Sequence, residues 1–183
     1  MNKKILYTVI FSTVILGGCT GNTLSSVQSQ QVIQAATWQT IDIPNAKNPL
    51  PNLLTGGQPT PEQLEQAAAA GYKTVINLRT TNEAGTWSEA DKVAKLGMQY
   101  VTIPIAGKEG LSKENADALM NAIQQYSTDP VIVHCGSGNR VGALFAIDAK
   151  FNKKQTVEEA IQTGIRSGLT SLEPAVRAYF DQN

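Results

Sequence analysis

One stretch constrains this chain more than any other: Val131-Ile132-Val133-His134-Cys135-Gly136-Ser137-Gly138-Asn139-Arg140, continued by Val141-Gly142-Ala143-Leu144-Phe145-Ala146-Ile147. A short β-branched run reads as a buried strand, and the seven residues from Val141, apolar all round, read as a helix with no solvent face. Two glycines make the link between them. The other segments follow the same alternation. Strands are predicted at Leu53–Thr55, Thr74–Leu78, Tyr100–Ile105 and Val131–Cys135. Thr60-Pro61-Glu62-Gln63 supplies an N-cap, a proline at the first helical position and an N3 glutamine, and Gly71 ends that helix. Further helices are predicted over Trp87–Leu96, Ser112–Tyr126, Gly138–Phe151, Thr156–Arg166 and Ser171–Asp181. Leu119 and Ile123 form an i, i+4 stripe, and Thr156 with Glu159 a capping box. Strands alternating with helices over short links imply an α/β fold, a mainly parallel central sheet flanked by helices.

With 183 residues and 42% hydrophobic content, the chain holds one ordinary domain plus extras. The extras sit at the N-terminus. Lys3 and Lys4 precede an apolar run from Ile5 to Leu16, too short to span a bilayer and the length of a signal-peptide core. Leu16-Gly17-Gly18-Cys19 resembles the bacterial lipobox, which implies a lipoprotein signal peptide over residues 1–18 and lipid on Cys19. A Ser- and Gln-rich stretch over 19–37 reads as a flexible tether, with the domain over 38–183. The expected location is the cell envelope, on a periplasm-facing lipoprotein held to the membrane by its lipid. Thr20 after Cys19 favours the outer membrane, by resemblance to enterobacterial sorting signals. Lys+Arg and Asp+Glu both number 15, so the formal charge is zero, and nothing points to a nucleic-acid partner. The chain has two cysteines. With Cys19 acylated, Cys135 has no disulfide partner, and a lone thiol in an oxidising compartment asks for a reason.

The residues around Cys135 offer one. Gly136 and Gly138 let successive backbone N–H groups converge into an anion-binding nest. Ser137 and Asn139 complete that loop, and Arg140 adds a planar fork suited to a phosphate oxyanion. A helix N-terminus and an arginine both favour Cys135 as a thiolate, which makes it a nucleophile beside an anion cradle. His134 is the sole histidine of the chain, so a multi-histidine metal site is excluded. No metal or organic cofactor is called for.

The loop resembles the HC-x5-R signature of the cysteine-dependent protein tyrosine and dual-specificity phosphatases. It is shorter: four residues, Gly136 to Asn139, separate Cys135 from Arg140, a spacing shared with rhodanese-type sulfurtransferases. The segments LLTGGQPTPEQLEQAAAAGYKTVINLRTTNE, YVTIPI and VIVHCGSGNR resemble the bacterial beta-lactamase-hydrolase-like family of phosphatase-like proteins, over about Pro51 to Ile147. That resemblance implies Cys135 as nucleophile, Arg140 as anion-binding partner and His134 as the residue that orders the loop. A core histidine satisfied by its neighbours would read the same way. Two departures stand out. Val141 occupies the place where phosphatases carry a hydroxyl, and the nearest candidate for an upstream general acid is Glu109 in AGKEGLS, with Asp117 and Asp129 weaker choices. Ser137 reads as a turn residue or a supporting hydroxyl, and Arg79 with Glu83 as a structural pair without chemistry.

The expected function is a phosphatase that hydrolyses a phosphate monoester, borne by a protein or a small molecule, through a phosphocysteine. Two alternatives share the same loop: a sulfurtransferase working through a Cys135 persulfide, and a non-catalytic module that binds phosphate or another oxyanion.

Overall fold

The computed structural model of the protein describes residues 41–83 and 88–183. The leader, Cys19, the tether and the expected domain start at Trp38 lie outside the described residues, as does Trp87. Among the described residues five strands and six helices follow one another: β1 (Lys47–Leu50), β2 (Leu53–Gly56), α1 (Pro61–Ala69), β3 (Thr74–Asn77), α2 (Glu89–Lys95), β4 (Gln99–Thr102), α3 (Lys113–Tyr126), β5 (Val131–His134), α4 (Asn139–Phe151), α5 (Val157–Arg166) and α6 (Glu173–Gln182). They form one sheet in the order β1-β2-β5-β3-β4, with β1 antiparallel to β2 and every other pair parallel. The expected mainly parallel α/β architecture is what is found.

The strand β1 is absent from the sequence reading. Its residues, Lys-Asn-Pro-Leu, carry no β-branched or aromatic signal, and Pro49 argues against a strand. A proline is tolerated because β1 lies at the edge of the sheet, where a missing N–H breaks no inner ladder. The expected strand from Tyr100 to Ile105 is also shorter, ending at Thr102, although Ile103 and Ile105 N–H still bond the Asn77 and Leu78 carbonyls at 3.0 Å.

Alternation along the strands divides the interior into two layers. In β5, Val131 and Val133 join the cluster built by α3, α4, α5 and α6, whereas Ile132 joins the cluster under α1 and α2; in β3, Ile76 and Val75 divide the same way. This is the period-two pattern of a sheet covered on both faces. Every residue of α4 from Asn139 to Ala149 is buried, as its all-round apolar sequence requires. Both capping boxes form. Thr60 Oγ1 accepts from Gln63 N–H at 3.2 Å while Gln63 accepts from Thr60 N–H at 2.8 Å, and Thr156 and Glu159 repeat the exchange at the start of α5. Among the described residues no helix is long and apolar enough to cross a membrane.

Candidate active site

All four parallel strands end on the same side, and each hands over to a loop there: β2 to Gly57-Gln58, β3 to Leu78–Glu83, β4 to Ile103–Glu109 and β5 to Cys135–Gly138. The central strand β5 is paired on both sides, so its C-terminus opens at the middle of that edge. Ligands of parallel sheets gather at such an edge.

Cys135 is the first residue past β5 and is almost fully buried at 1% exposure. Its sulfur accepts a hydrogen bond from Gly138 N–H at 3.2 Å, which closes the loop on itself. Gly138 is the N-cap of α4 with φ 85° and ψ −14°, a left-handed conformation that a side chain would strain. It offers no capping side chain, and the first turn of α4 contains no acidic residue. The leading N–H groups of a thirteen-residue helix are therefore left for an external acceptor, and the helix dipole reinforces them.

Arg140, in the first turn of α4, has a guanidinium that is anchored firmly. Its Nη1 donates to Glu83 Oε1 at 2.6 Å, to the Ile105 carbonyl at 2.7 Å and to the Leu78 carbonyl at 3.3 Å; its Nη2 donates to Glu83 Oε2 at 2.6 Å. A guanidinium has five N–H donors, so these bonds leave Nε–H and one Nη2–H for a ligand. The pairing with Glu83 raises the Arg140 pKa above its usual value against the opposing effect of burial, and the charge of Cys135 adds to the rise. In return the Arg140 hydrogen bonds hold the Glu83 carboxyl down to about 2 from an ordinary 4.5.

Glu83 is the residue that sequence reasoning undervalued. Its ion pair with Arg79 is present at 3.3 Å, but its shorter and bidentate contact is with Arg140. Arg79 also donates to Gln58 Oε1 at 2.5 Å. The clearest signal in the sequence was an NLR-x3-E pattern just past a strand that register places beside His134, since Asn77 and His134 are paired residues.

His134 is wholly buried beneath the loop. Its Nδ1 lies 3.3 Å from the Cys135 carbonyl and its Nε2 lies 3.0 Å from Glu89 Oε1. The second contact is short, yet no hydrogen bond forms at Nε2. Glu89, 7% exposed, is held by Gln58 Nε2 at 2.9 Å, Tyr100 Oη at 2.9 Å and Asn77 Nδ2 at 3.2 Å. Burial pushes the Tyr100 hydroxyl up to about 12, so it stays a donor. Gln58, Asn77, Arg79, Glu83, Glu89 and Tyr100 line a polar hollow of about 420 Å³ next to the Arg140 anchor.

The remaining predicted residues are distributed unevenly. Gly136 and Ser137 lie in the loop, exposed to solvent. The side chain of Asn139 turns away from it: its Oδ1 accepts from Thr170 N–H and Leu172 N–H, and its Nδ2 donates to Ser171 Oγ at 2.6 Å. What Asn139 can offer an anion is its backbone N–H. Val141 is fully buried in the core. Glu109 is exposed on the loop whose Ile105 carbonyl grips Arg140, and it faces a separate hollow of about 510 Å³ formed with Leu111, Ala175 and Tyr179. Asp117 is tied to Lys113 and Asn152 on the helical layer. Among the described residues no cluster of His, Cys, Asp or Glu has the makings of a metal site.

A family model described as DSP-PTPase phosphatase fused to NAD+ kinase matches residues 26–173. The beta-lactamase hydrolase-like protein of Xylella fastidiosa strain 9a5c is 28% identical over 145 residues, covering 70% of this chain and 33% of that protein. The protein of the same name from Agrobacterium fabrum strain C58 is 26% identical over 148 residues, covering 70% and 33%. The chain thus spans about a third of the length of the curated relatives it matches. Among solved structures, a DUF442 protein from Shewanella putrefaciens CN-32 superposes with a TM-score of 0.60 at 24% identity, over 76% of this chain and 88% of that one. TpbA of P. aeruginosa superposes with 0.60 at 14% identity, over 76% and 85%. These two likenesses speak to the fold. The family match covers most of the chain, including the loop from Cys135 to Arg140, and by it this chain belongs to the PTP-NADK family of dual-specificity-type phosphatases.

Proposed function

We propose that the protein hydrolyses phosphate monoesters with Cys135 as nucleophile. The observation that carries this reading is the buried Cys135 sulfur, which receives the Gly138 N–H at 3.2 Å at the start of an uncapped helix whose first turn carries Arg140. In the first step the Cys135 thiolate attacks phosphorus, a P–S bond forms and the P–O bond to the leaving group breaks. Loop N–H groups of Gly136, Ser137, Gly138 and Asn139, with the two remaining donors of Arg140, hold the phosphoryl oxygens as charge builds on them. The leaving oxygen takes a proton from Glu109 or from water. In the second step water attacks the phosphocysteine, the P–S bond breaks, and phosphate leaves with the thiolate restored. Val141 offers no hydroxyl to that departure, which favours a burst of leaving group followed by a slow steady rate.

The test is turnover of an aryl phosphate and an alkyl phosphate by wild type, Cys135→Ser and Glu109→Gln. Cys135→Ser is expected to abolish turnover on both. If Glu109 is the acid, its amide variant slows the alkyl ester by about 10²–10⁴-fold and the aryl ester far less. Retained activity in Cys135→Ser would refute the mechanism. Thiocyanate formation from thiosulfate and cyanide, without phosphate release, would replace it with sulfur transfer, and oxyanion binding without either would leave a binding module.

The reading extends to residues 1–19. Lipid on Cys19 would tether the domain to the envelope membrane facing the periplasm, with the outer membrane favoured. Cys19→Ser is then expected to move the protein out of the membrane fraction or leave it unprocessed, and a mature chain without lipid mass on Cys19 would dispose of the idea.

A further inference from the structure

The turn that precedes β1 reaches over the catalytic loop. Ala46 N–H donates to the Ile43 carbonyl at 3.1 Å, with Pro44 second in the turn and Asn45 third at φ 53°. A proline followed by a positive φ is the arrangement of a type II turn, and asparagine is among the few residues that accept it. A non-glycine residue in that conformation invites the question of what its side chain does. Asn45 Nδ2 donates to the Ser137 carbonyl at 3.1 Å and to the Gly168 carbonyl at 2.9 Å. The same turn takes the Gly57 N–H on the Pro44 carbonyl at 2.6 Å, and Gly57 in turn bridges to Ser137. A Cβ on Gly57 would lie 2.9 Å from Pro44 Cβ and 3.0 Å from the Gly136 carbonyl, so the turn, the glycine pair after β2 and the loop are in mutual contact.

The consequence lies in one peptide unit. The carbonyl of Ser137 and the N–H of Gly138 belong to the same planar trans amide, so they point in opposite directions. By holding the carbonyl outward, Asn45 aims the N–H at the Cys135 sulfur, where it is found at 3.2 Å. Gly138, whose φ is one of the two torsions of this unit, makes its rotation easy, and a half-turn would present a carbonyl oxygen to the sulfur and to any bound anion. The neighbouring carbonyls are held outward too, but by main-chain donors: Gln58 N–H on Gly136 at 3.3 Å and Gly142 N–H on Gly138 at 3.1 Å. Of the three restraints, only that on Ser137 comes from a side chain.

We propose that Asn45 is a positioning residue of the oxyanion cradle, fixing the Ser137–Gly138 amide with its N–H inward. The proposal rests on the reading that the loop from Cys135 to Arg140 binds a tetrahedral oxyanion. Its test is binding of tungstate, by calorimetry and by the 15N shift of Gly138, to wild type, Asn45→Asp and Asn45→Gly. Asp keeps the size and the tolerance for the turn but has no donor; Gly keeps the turn and adds no charge. Both variants are expected to bind tungstate at least about tenfold more weakly, with a displaced Gly138 resonance and cooperative melting retained. Wild-type affinity in either variant, or weakening in Asn45→Asp alone, which charge repulsion would explain, overturns the proposal. A wild type that binds tungstate but releases no phosphate refutes the phosphatase reading and leaves Asn45 to be judged on binding. A wild type that does not bind tungstate refutes both.

Discussion

Replacing Glu83 with glutamine removes one charge from the Arg140 anchor without changing its size. The magnitude follows from the carboxyl being held at about 2 in place of 4.5. At about 1.4 kcal/mol per pH unit the difference corresponds to about 3 kcal/mol of native-state stability, and the 28% exposure of the side chain reduces it to about 2–3 kcal/mol. Removal of one partner of a largely buried pair adds a penalty for the other, here softened because Arg140 retains the Leu78 and Ile105 carbonyls. The sign is fixed by linkage: a depressed carboxyl stabilises the fold above its unfolded value of 4.5, and that contribution is lost as pH falls toward 2. Urea unfolding of wild type and Glu83→Gln is the assay, at pH values from about 7 down to about 3. The variant is expected to be less stable by about 2–3 kcal/mol at neutral pH, with more than half of that gap closed at the acid end. A gap that stays constant across this range would show that the pair contributes nothing through its charge. Equal stability at neutral pH would refute the reasoning altogether.

Arg140→Lys keeps the charge but cannot span Glu83, two carbonyls and a ligand at once, so kcat/KM is expected to fall by about 10²–10³-fold in steady-state assays with an aryl phosphate. Leu144→Ala, in the fully buried middle of α4, is expected to cost about 2–5 kcal/mol in urea unfolding while turnover per folded molecule stays near wild type. A smaller cost would mean that the helical layer closes over the cavity.

How much of this was legible in the sequence depends on chain distance. The segment from Val131 to Ile147 carries its own strand, glycine turn and buried helix, so the placement of Cys135 and Arg140 at the strand-to-helix turn is legible from local pattern, as are both capping boxes. Glu83 meets Arg140 across 57 residues, and Asn45 meets Ser137 across 92. Those meetings are set by strand register and by a turn outside the regular elements, neither of which periodicity reports. Glu89 shows the same limit: the first residue of α2, it is buried against His134 far along the chain, a meeting that no local pattern reports. The edge strand β1 escaped because its proline is tolerated only once its position in the sheet is known.

Among the described residues that anchor the loop and line the adjoining hollow, the arginines and glutamates balance. Arg140 is matched by Glu83, and Arg79 and Glu89 add one of each sign to the adjoining hollow, so an arriving dianion meets no net positive field from these four residues. Attraction must then come from oriented N–H groups at the start of α4 and from the two donors left on Arg140, which act only at contact distance. Dipoles and hydrogen bonds at that range lie inside the Debye length of about 10 Å at 0.1 M salt, where screening has little purchase. The Michaelis constant for a small aryl phosphate is therefore expected to change by less than about threefold between low and high sodium chloride, whereas a cradle that recruits its anion by net charge would lose affinity steadily as salt rises. A steep rise in KM with salt, without a change in kcat, would show that cations beyond the loop draw the substrate in and would refute this account of the site.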